Sequence, residues 1–283
     1  MKVTIIIVTF RSENVINRCL SKINKIYPII VIENSNNENF KKEIENRFSN
    51  VKCILTGENL GFGKANNIGL LLAKTEYVLL LNPDALIFED TIEVLINYAE
   101  YIKDFALLAP IITNENELNY GFFCGKKKLE TNNFFEVDYI KGFAMFFNLK
   151  KFYKLKFFDE NIFIYLEEID LCRRLNYASE KIYLIPQAKV QHLGGKSHGG
   201  EFCLEMEISR NWHWMWSSFY YNKKHFGFLK AYNVTIFLFF KSIFKMFFFL
   251  FISKQKFLIN KARFLGLLNS YLGKKSFYRP FNE

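Results

Sequence analysis

Tyr77-Val78-Leu79-Leu80-Leu81 runs apolar without a break and stops at Asn82-Pro83-Asp84. A strand that is apolar along its whole length is buried on both faces, as in a parallel sheet covered by helices, whereas a strand with one wet face alternates. Val3 to Thr9, Ile29 to Ile32 and Val51 to Leu55 have the same character, and stretches of helical spacing separate the runs at Val15 to Ile26, Lys41 to Phe48 and Ala65 to Ala73. This alternation predicts an α/β fold with a Rossmann-like, mostly parallel central sheet covered by helices. Ligands of such sheets sit beyond the carboxyl ends of the strands, so the polar clusters after Thr9, after Ile32 and after Leu81 are expected to share one crevice. Further along, Glu89 to Ile102 reads as a helix and Ala106 to Ile112 as a strand. Thr113 to Asn133 reads as a polar loop, Ile140 to Asn148 as a strand, and Glu167 to Ala178 as a helix with an acidic first turn.

The 283 residues, half of them apolar, suit one large domain (1–225) and an appended C-terminal helical, basic, apolar extension (226–283). The net charge of +10 belongs to the tail: residues 221–283 carry twelve Lys or Arg against Glu283 alone. Within it, Val234 to Ser253 is nearly all apolar, broken only by Lys241, Ser242 and Lys245 on one helical stripe. The segment has the length of a membrane span, but two Lys near its middle favour a position in the plane of the surface. Trp212, Trp214, Trp216, Tyr220 and Tyr221 upstream suit such an interface, and the alternative is packing on the main domain or on a second subunit in a homo-oligomer. Charges interleaved with Phe and Leu argue against nucleic acid as the partner. The five cysteines are odd in number and form no C-x-x-C pair, so no disulfide framework or zinc cluster is expected, and a reducing cytoplasm fits best. Met1 to Phe10 reads as a buried strand rather than a signal peptide.

Four motifs carry chemistry. Asp84 follows a strand on a turn stiffened by Pro83, where a carboxylate suits a divalent cation bridging two phosphates; an ordinary Asx turn is the plainer reading. The block Phe158-Asp159-Glu160 to Glu167-Glu168-Ile169-Asp170 gathers acids, one of which is placed to accept a proton, although acids in a first helical turn are also favoured by the helix dipole with Arg173 and Arg174 as surface partners. His192 precedes Gly194, Gly195 and Ser197, and an imidazole beside Asp84 would complete a cation site; His198, His213 and His225 read as structural. Asn59 to Gly69 contains a G-x-G without the Rossmann or Walker spacing, which weakens dinucleotide and ATP readings but suits close backbone approach to a ligand.

In order and spacing, these motifs, together with Gly142-Phe143-Ala144-Met145, resemble the family 2 glycosyltransferases of GT-A fold, in particular their rhamnosyltransferase-like branch, over roughly residues 3 to 225. The resemblance implies an inverting, metal-dependent transferase. It would move a sugar from a nucleotide-diphosphate donor, dTDP-rhamnose or a UDP-sugar, to a hydroxyl of a glycan or lipid-linked glycan in cell-surface polysaccharide assembly, at the cytoplasmic face of the membrane. It places Thr9, Phe10, Glu33, Asn59, Gly61, Asn66, Asn82, Asp84 and Gly142 on the donor, and Asp84 and His192 on Mn2+ or Mg2+. Glu168 takes the position of the catalytic base, with Glu167 and Asp170 as alternatives. Glu33 and Glu168 each stand where the family usually has Asp, which leaves open a nucleotide-sugar-binding or scaffold protein without turnover.

Overall fold

The computed structural model describes residues 1–114, 117–123, 133–193 and 203–279. The chain forms two compact units, the first from Met1–Asp159 with the stretch beginning at Glu168, the second from Glu160–Glu167 with the C-terminal helices.

The first unit opens with β1 (Val3–Thr9), α1 (Glu13–Ser21), β2 (Ile29–Glu33), α2 (Glu38–Arg47), β3 (Val51–Leu55), α3 (Phe62–Leu72) and β4 (Tyr77–Leu81). It continues with β5 (Ala85–Ile87), α4 (Thr91–Ile102), β6 (Leu107–Ile112), β7 (Tyr120–Gly121), β8 (Phe135–Glu136), β9 (Tyr139–Ile140) and β10 (Ala144–Asn148), and ends with α5 (Glu167–Tyr177) and β11 (Ile182–His192). Among the described residues the main sheet runs β3-β2-β1-β4-β10-β6-β11-β5, with β8 against β11; β7 and β9 pair separately. Strands β1 to β4 are parallel, as expected from their apolar runs, and β11 is parallel to β6. Antiparallel β10 is inserted between β4 and β6, so the sheet is mixed.

Successive side chains of a strand point to opposite faces, and both faces here are covered. Ile5 and Ile7 of β1 join α1, α2 and α4 in one core, whereas Ile6 joins α3 and α5 in another. This explains the uninterrupted β-branched run. The stretch Ile140 to Asn148, expected as one strand, divides into β9 and β10 around Gly142 and Phe143.

The second unit is built on α6 (Cys203–Phe226), α7 (Phe228–Phe249) and α8 (Lys254–Tyr271). Contacts group α6 with α7 and α8, whereas the sequence reading placed its residues with the first 225. Gly227, at φ +83°, breaks α6 from α7 in a backbone conformation that suits a residue without Cβ. Trp212 and Trp216 are buried in the helix interface rather than displayed, and Tyr221 is also buried; of the expected aromatic belt only Trp214 is strongly exposed. Trp216 Nε1 donates to the Lys274 carbonyl (3.0 Å), and His213 bridges Ser276 Oγ and the Tyr278 carbonyl, both at 3.0 Å. Burial pushes the His213 pKa down to about 3, so this imidazole is neutral and clamps the chain end. Phe163 stacks on the same ring, and Ile164 accepts a hydrogen bond from Ser217 (3.0 Å). Tyr165 and Leu166 then take left-handed φ of 72° and 70°, a strained pair for non-glycine residues, immediately before α5.

Helices α6 and α8 approach so closely that a Cβ on Gly266 would lie 2.3 Å from the Trp212 carbonyl oxygen. Backbone cannot yield there as a flexible side chain would. Gly266→Ala is therefore expected to cost about 1–3 kcal/mol, measured as a lowered denaturation midpoint with unchanged slope.

Candidate active site

Strand β4 ends at Leu81, and its continuation is fixed from two sides. Asn82 N–H donates to the Phe143 carbonyl (2.9 Å), and Ala85 N–H closes the Asn82-Pro83-Asp84 turn onto the Asn82 carbonyl (3.0 Å). Strand β5 starts at once and pairs antiparallel with the end of β11, Ala85 opposite His192 and Leu86 opposite Gln191. The Leu193 N–H reaches the Asp84 carbonyl (3.0 Å), and His192 Nε2 lies 3.3 Å from Asp84 Oδ1. Asn114 holds the His192 backbone from both ends, accepting from its N–H (3.2 Å) and donating to its carbonyl (2.6 Å). Phe143 stacks flat on the imidazole, with ring centroids 4.5 Å apart and planes 9° apart. Asp84 is buried and His192 partly so.

This pair fits a divalent cation. A carboxylate oxygen and an imidazole nitrogen are a suitable donor set for Mn2+, and two donors each about 2.1 Å from one ion at a right angle lie about 3 Å apart. Among the described residues no group of three or more His, Cys, Asp and Glu could hold a metal, so further ligands would come from donor phosphates and water. Cys19, buried beside this turn, donates through its Sγ to the Asn82 carbonyl (3.7 Å); burial foremost, and the Asp84 charge, push its pKa up. Gly194, Gly195, Ser197 and His198 lie outside the described residues.

The ends of β1 and β2 form the neighbouring wall. Thr9 sits opposite Glu33, is almost wholly buried, and its Oγ1 has no hydrogen-bond partner among the described residues. Phe10 is half-buried and leads into Arg11 at φ 51°. Glu33, expected to face the nucleoside, is also buried, and its carboxylate accepts from Ser35 N (2.9 Å), Ser35 Oγ and Asn37 N (2.8 Å). It therefore orders the loop after β2. The adjacent Asn34, which the sequence reading left without a role, joins that loop to the Asn59–Gly61 turn. Its Oδ1 accepts from Thr56 Oγ1 (3.2 Å), and its Nδ2 donates to the Gly61 carbonyl (3.2 Å). Asn59 Oδ1 accepts from Gly61 N (3.1 Å), and Gly61, at φ +80°, turns the chain into α3. Asn66 is spent on its own helix, donating to the Phe62 carbonyl (3.0 Å). Asn67 bonds Phe158 through both its amide and its carbonyl, each at 3.0 Å, tying α3 to the segment that follows β10.

The acids of α5 divide by environment. Asp170 is fully buried and paired with Arg174 Nε (2.8 Å), whose other nitrogens hold the carbonyls of Lys156 (2.6 Å) and Phe157. It is engaged in structure. Glu167, the first residue of the helix, is buried. Glu168 is half-buried, and a Cβ built on Gly142 would come within 3.6 Å of its Cβ and 3.5 Å of the Phe62 ring. Burial raises the Glu168 pKa, against smaller lowering effects from the N–H groups of Glu168 and Ile169 and from Lys141. Glu168 thus lies about one methyl group away from Gly142, the residue before Phe143, whose ring stacks on His192 beside Asp84.

Residues 4–158 match the family described as glycosyl transferase family 2. The chain belongs to glycosyl transferase family 2. Among curated relatives of this glycosyltransferase, the rhamnosyltransferase WbbL of Escherichia coli strain K12 is 26% identical over 220 residues, covering 67% of this chain and 83% of that one. The low-salt glycan biosynthesis hexosyltransferase Agl10 of Haloferax volcanii is 26% identical over 188 residues, 60% of each chain. The mannosyltransferase PcManGT of Pyrobaculum calidifontis, solved with GDP-Man and Mn2+, superposes with a TM-score of 0.60 at 11% identity over 97% of this chain and 88% of its own. The architecture of the glycosyltransferase is accordingly GT-A.

If Asp84 and His192 share one cation, Asp84→Asn and His192→Ala will each weaken Mn2+ binding in the presence of dTDP at least about tenfold, read by the Mn2+ electron paramagnetic resonance signal. Unchanged Mn2+ affinity in both variants would remove the pair from the metal site.

Proposed function

We propose that this family 2 glycosyltransferase moves a sugar, with inversion, from a nucleotide-diphosphate donor to a hydroxyl of a glycan or lipid-linked glycan acceptor in cell-surface polysaccharide assembly, working at the cytoplasmic face of the membrane. Similarity to a rhamnosyltransferase supports rhamnose as the sugar, and the family resemblance favours its dTDP-activated form as the donor. The observation that carries the reading is the closeness of Glu168 to Gly142, next in chain to the Phe143 ring that stacks on His192 beside Asp84.

In this mechanism the Glu168 carboxylate takes the proton of an acceptor hydroxyl as that oxygen bonds to the anomeric carbon. The bond from the anomeric carbon to the diphosphate oxygen breaks on the opposite face, and the electron pair leaves with the nucleoside diphosphate. Inversion follows from that geometry. Asp84 and His192 would hold the Mn2+ or Mg2+, which supplies charge stabilisation at the departing diphosphate when bound. The absence of a side chain at Gly142 keeps space between Phe62 and Glu168, and burial makes Glu168 a stronger proton acceptor than a solvated carboxylate. Asp170 is the weaker candidate because its charge is already matched by Arg174.

Glu168→Gln is expected to lower kcat by roughly 10²–10⁴-fold while dTDP affinity stays within about twofold. A variant that turns over at the wild-type rate would exclude Glu168 as the base. The base must be ionised to act and its pKa is raised, so activity should fall as the pH drops through a value above the ordinary carboxylate range; a kcat/KM profile flat down to that ordinary range would contradict it. Thermal stabilisation across a panel of nucleotide sugars with Mn2+ tests the donor, dTDP-rhamnose being expected to give the largest shift and another sugar doing so overturning that choice.

A further inference from the structure

Helix α7 has two unlike sides. Ala231, Thr235 and Ser242 are buried, and Ala231, Leu238 and Phe239 pack with Met215 and Phe219 of α6 and Leu267 and Tyr271 of α8. Thr235 Oγ1 lies 2.9 Å from the Tyr271 hydroxyl, and Ser242 Oγ donates to the Leu238 carbonyl (2.7 Å), so the polar groups on this side are satisfied within the bundle. At about 100° per residue, Phe237, Phe240, Phe244, Phe247 and Phe248 fall on the opposite side, and Phe251 follows just beyond the end of the helix. All six are exposed, Phe244 at 71% and Phe251 at 93%. Only 11% of the most apolar window of the helix is buried.

The three polar breaks noted in the sequence do not act together. Ser242 faces the bundle, whereas Lys241 and Lys245 are exposed and lie along one edge of the Phe face; Lys241 Nζ is 5.9 Å from the Phe237 ring centroid. Lys230, Lys254, Lys256 and Lys261 are exposed as well, in a tail with a single acid, Glu283.

We propose that this face is a membrane-docking surface, with α7 lying in the plane of an anionic phospholipid bilayer, its Phe side chains among the acyl chains and Lys241 and Lys245 at the phosphates. Charge selects this occupant. A second copy would bring an equally basic tail against the first, and like charges repel, whereas an anionic surface is complementary to both the apolar face and its basic edge. A spanning arrangement is disfavoured because the packed side of α7 is joined to α6 and α8, and Lys241 and Lys245 would enter the hydrocarbon. The aromatic residues of α6 take little part, since Trp212 and Trp216 are buried.

The test uses the full chain floated with vesicles and needs no activity, so it fails or succeeds independently of the catalytic assignment. The protein should float with phosphatidylcholine vesicles containing phosphatidylglycerol, with partitioning at least about tenfold lower on pure phosphatidylcholine or at high salt. Alkaline carbonate should release it. A Phe237→Ser, Phe240→Ser, Phe244→Ser, Phe248→Ser variant, its fold verified by an unchanged denaturation midpoint, should remain in the soluble fraction. The proposal is overturned if the wild-type chain does not float with anionic vesicles, or if the variant floats as well as wild type. Resistance to carbonate would overturn the in-plane arrangement, and a wild-type dimer that becomes monomeric in the variant without any vesicle binding would identify a second copy as the occupant.

Discussion

Ala85 and His192 face each other across the antiparallel ladder of β5 and β11, and the proposed chemistry hangs on this pairing. Each strand is anchored elsewhere. β5 continues from the turn after β4, in the parallel half of the sheet, and β11 is carried in by its parallel pairing with β6. A one-residue slip in register would turn the imidazole to the other face of the sheet and leave Asp84 alone. The Asn114 amide, bonded to both backbone groups of His192, opposes such a slip.

Antiparallel β10 gives the site its second component. Because Ala144 pairs with Leu81, the residues just before it, Gly142 and Phe143, lie beside the end of β4 and reach Asn82. Phe143 covers one face of the imidazole, and Gly142 leaves room where Phe62 and Glu168 approach. The groups proposed to hold the diphosphate cation and to accept the proton are thus carried by different elements of one unit, Asp84 and His192 at strand ends and Glu168 on α5, an arrangement suited to fixing both partners of a displacement before reaction.

How legible all this is in the sequence depends on how local the determining physics is. Strands β1 to β4 could be read because burial on both faces imposes an unbroken apolar run, and Val51–Leu55 and Tyr77–Leu81 come out with the expected bounds. β5 is three residues long, too short to show a period. β11 contains Pro186 and a register irregularity between Ile185 and Lys189, which breaks the pattern a periodicity reading needs. The roles of the acids were harder still. Asp170 and Arg174 stand four apart and could have been paired by spacing, but the choice between Asp170 and the exposed-looking Glu167 or Glu168 depends on burial. Glu33 could be located as the end of a strand, whereas its capture by Ser35 and Asn37 depends on the path of the loop that follows. In the tail, composition marked an apolar and basic segment, but not which of its aromatics were already occupied by helix packing.

The most direct measurement is anomalous diffraction at the manganese edge from crystals of the protein grown with Mn2+ and dTDP. A peak bonded to both Asp84 and His192 and to diphosphate oxygens is the expected outcome. A peak at another site, with Asp84 and His192 remaining in contact only with each other, would contradict it.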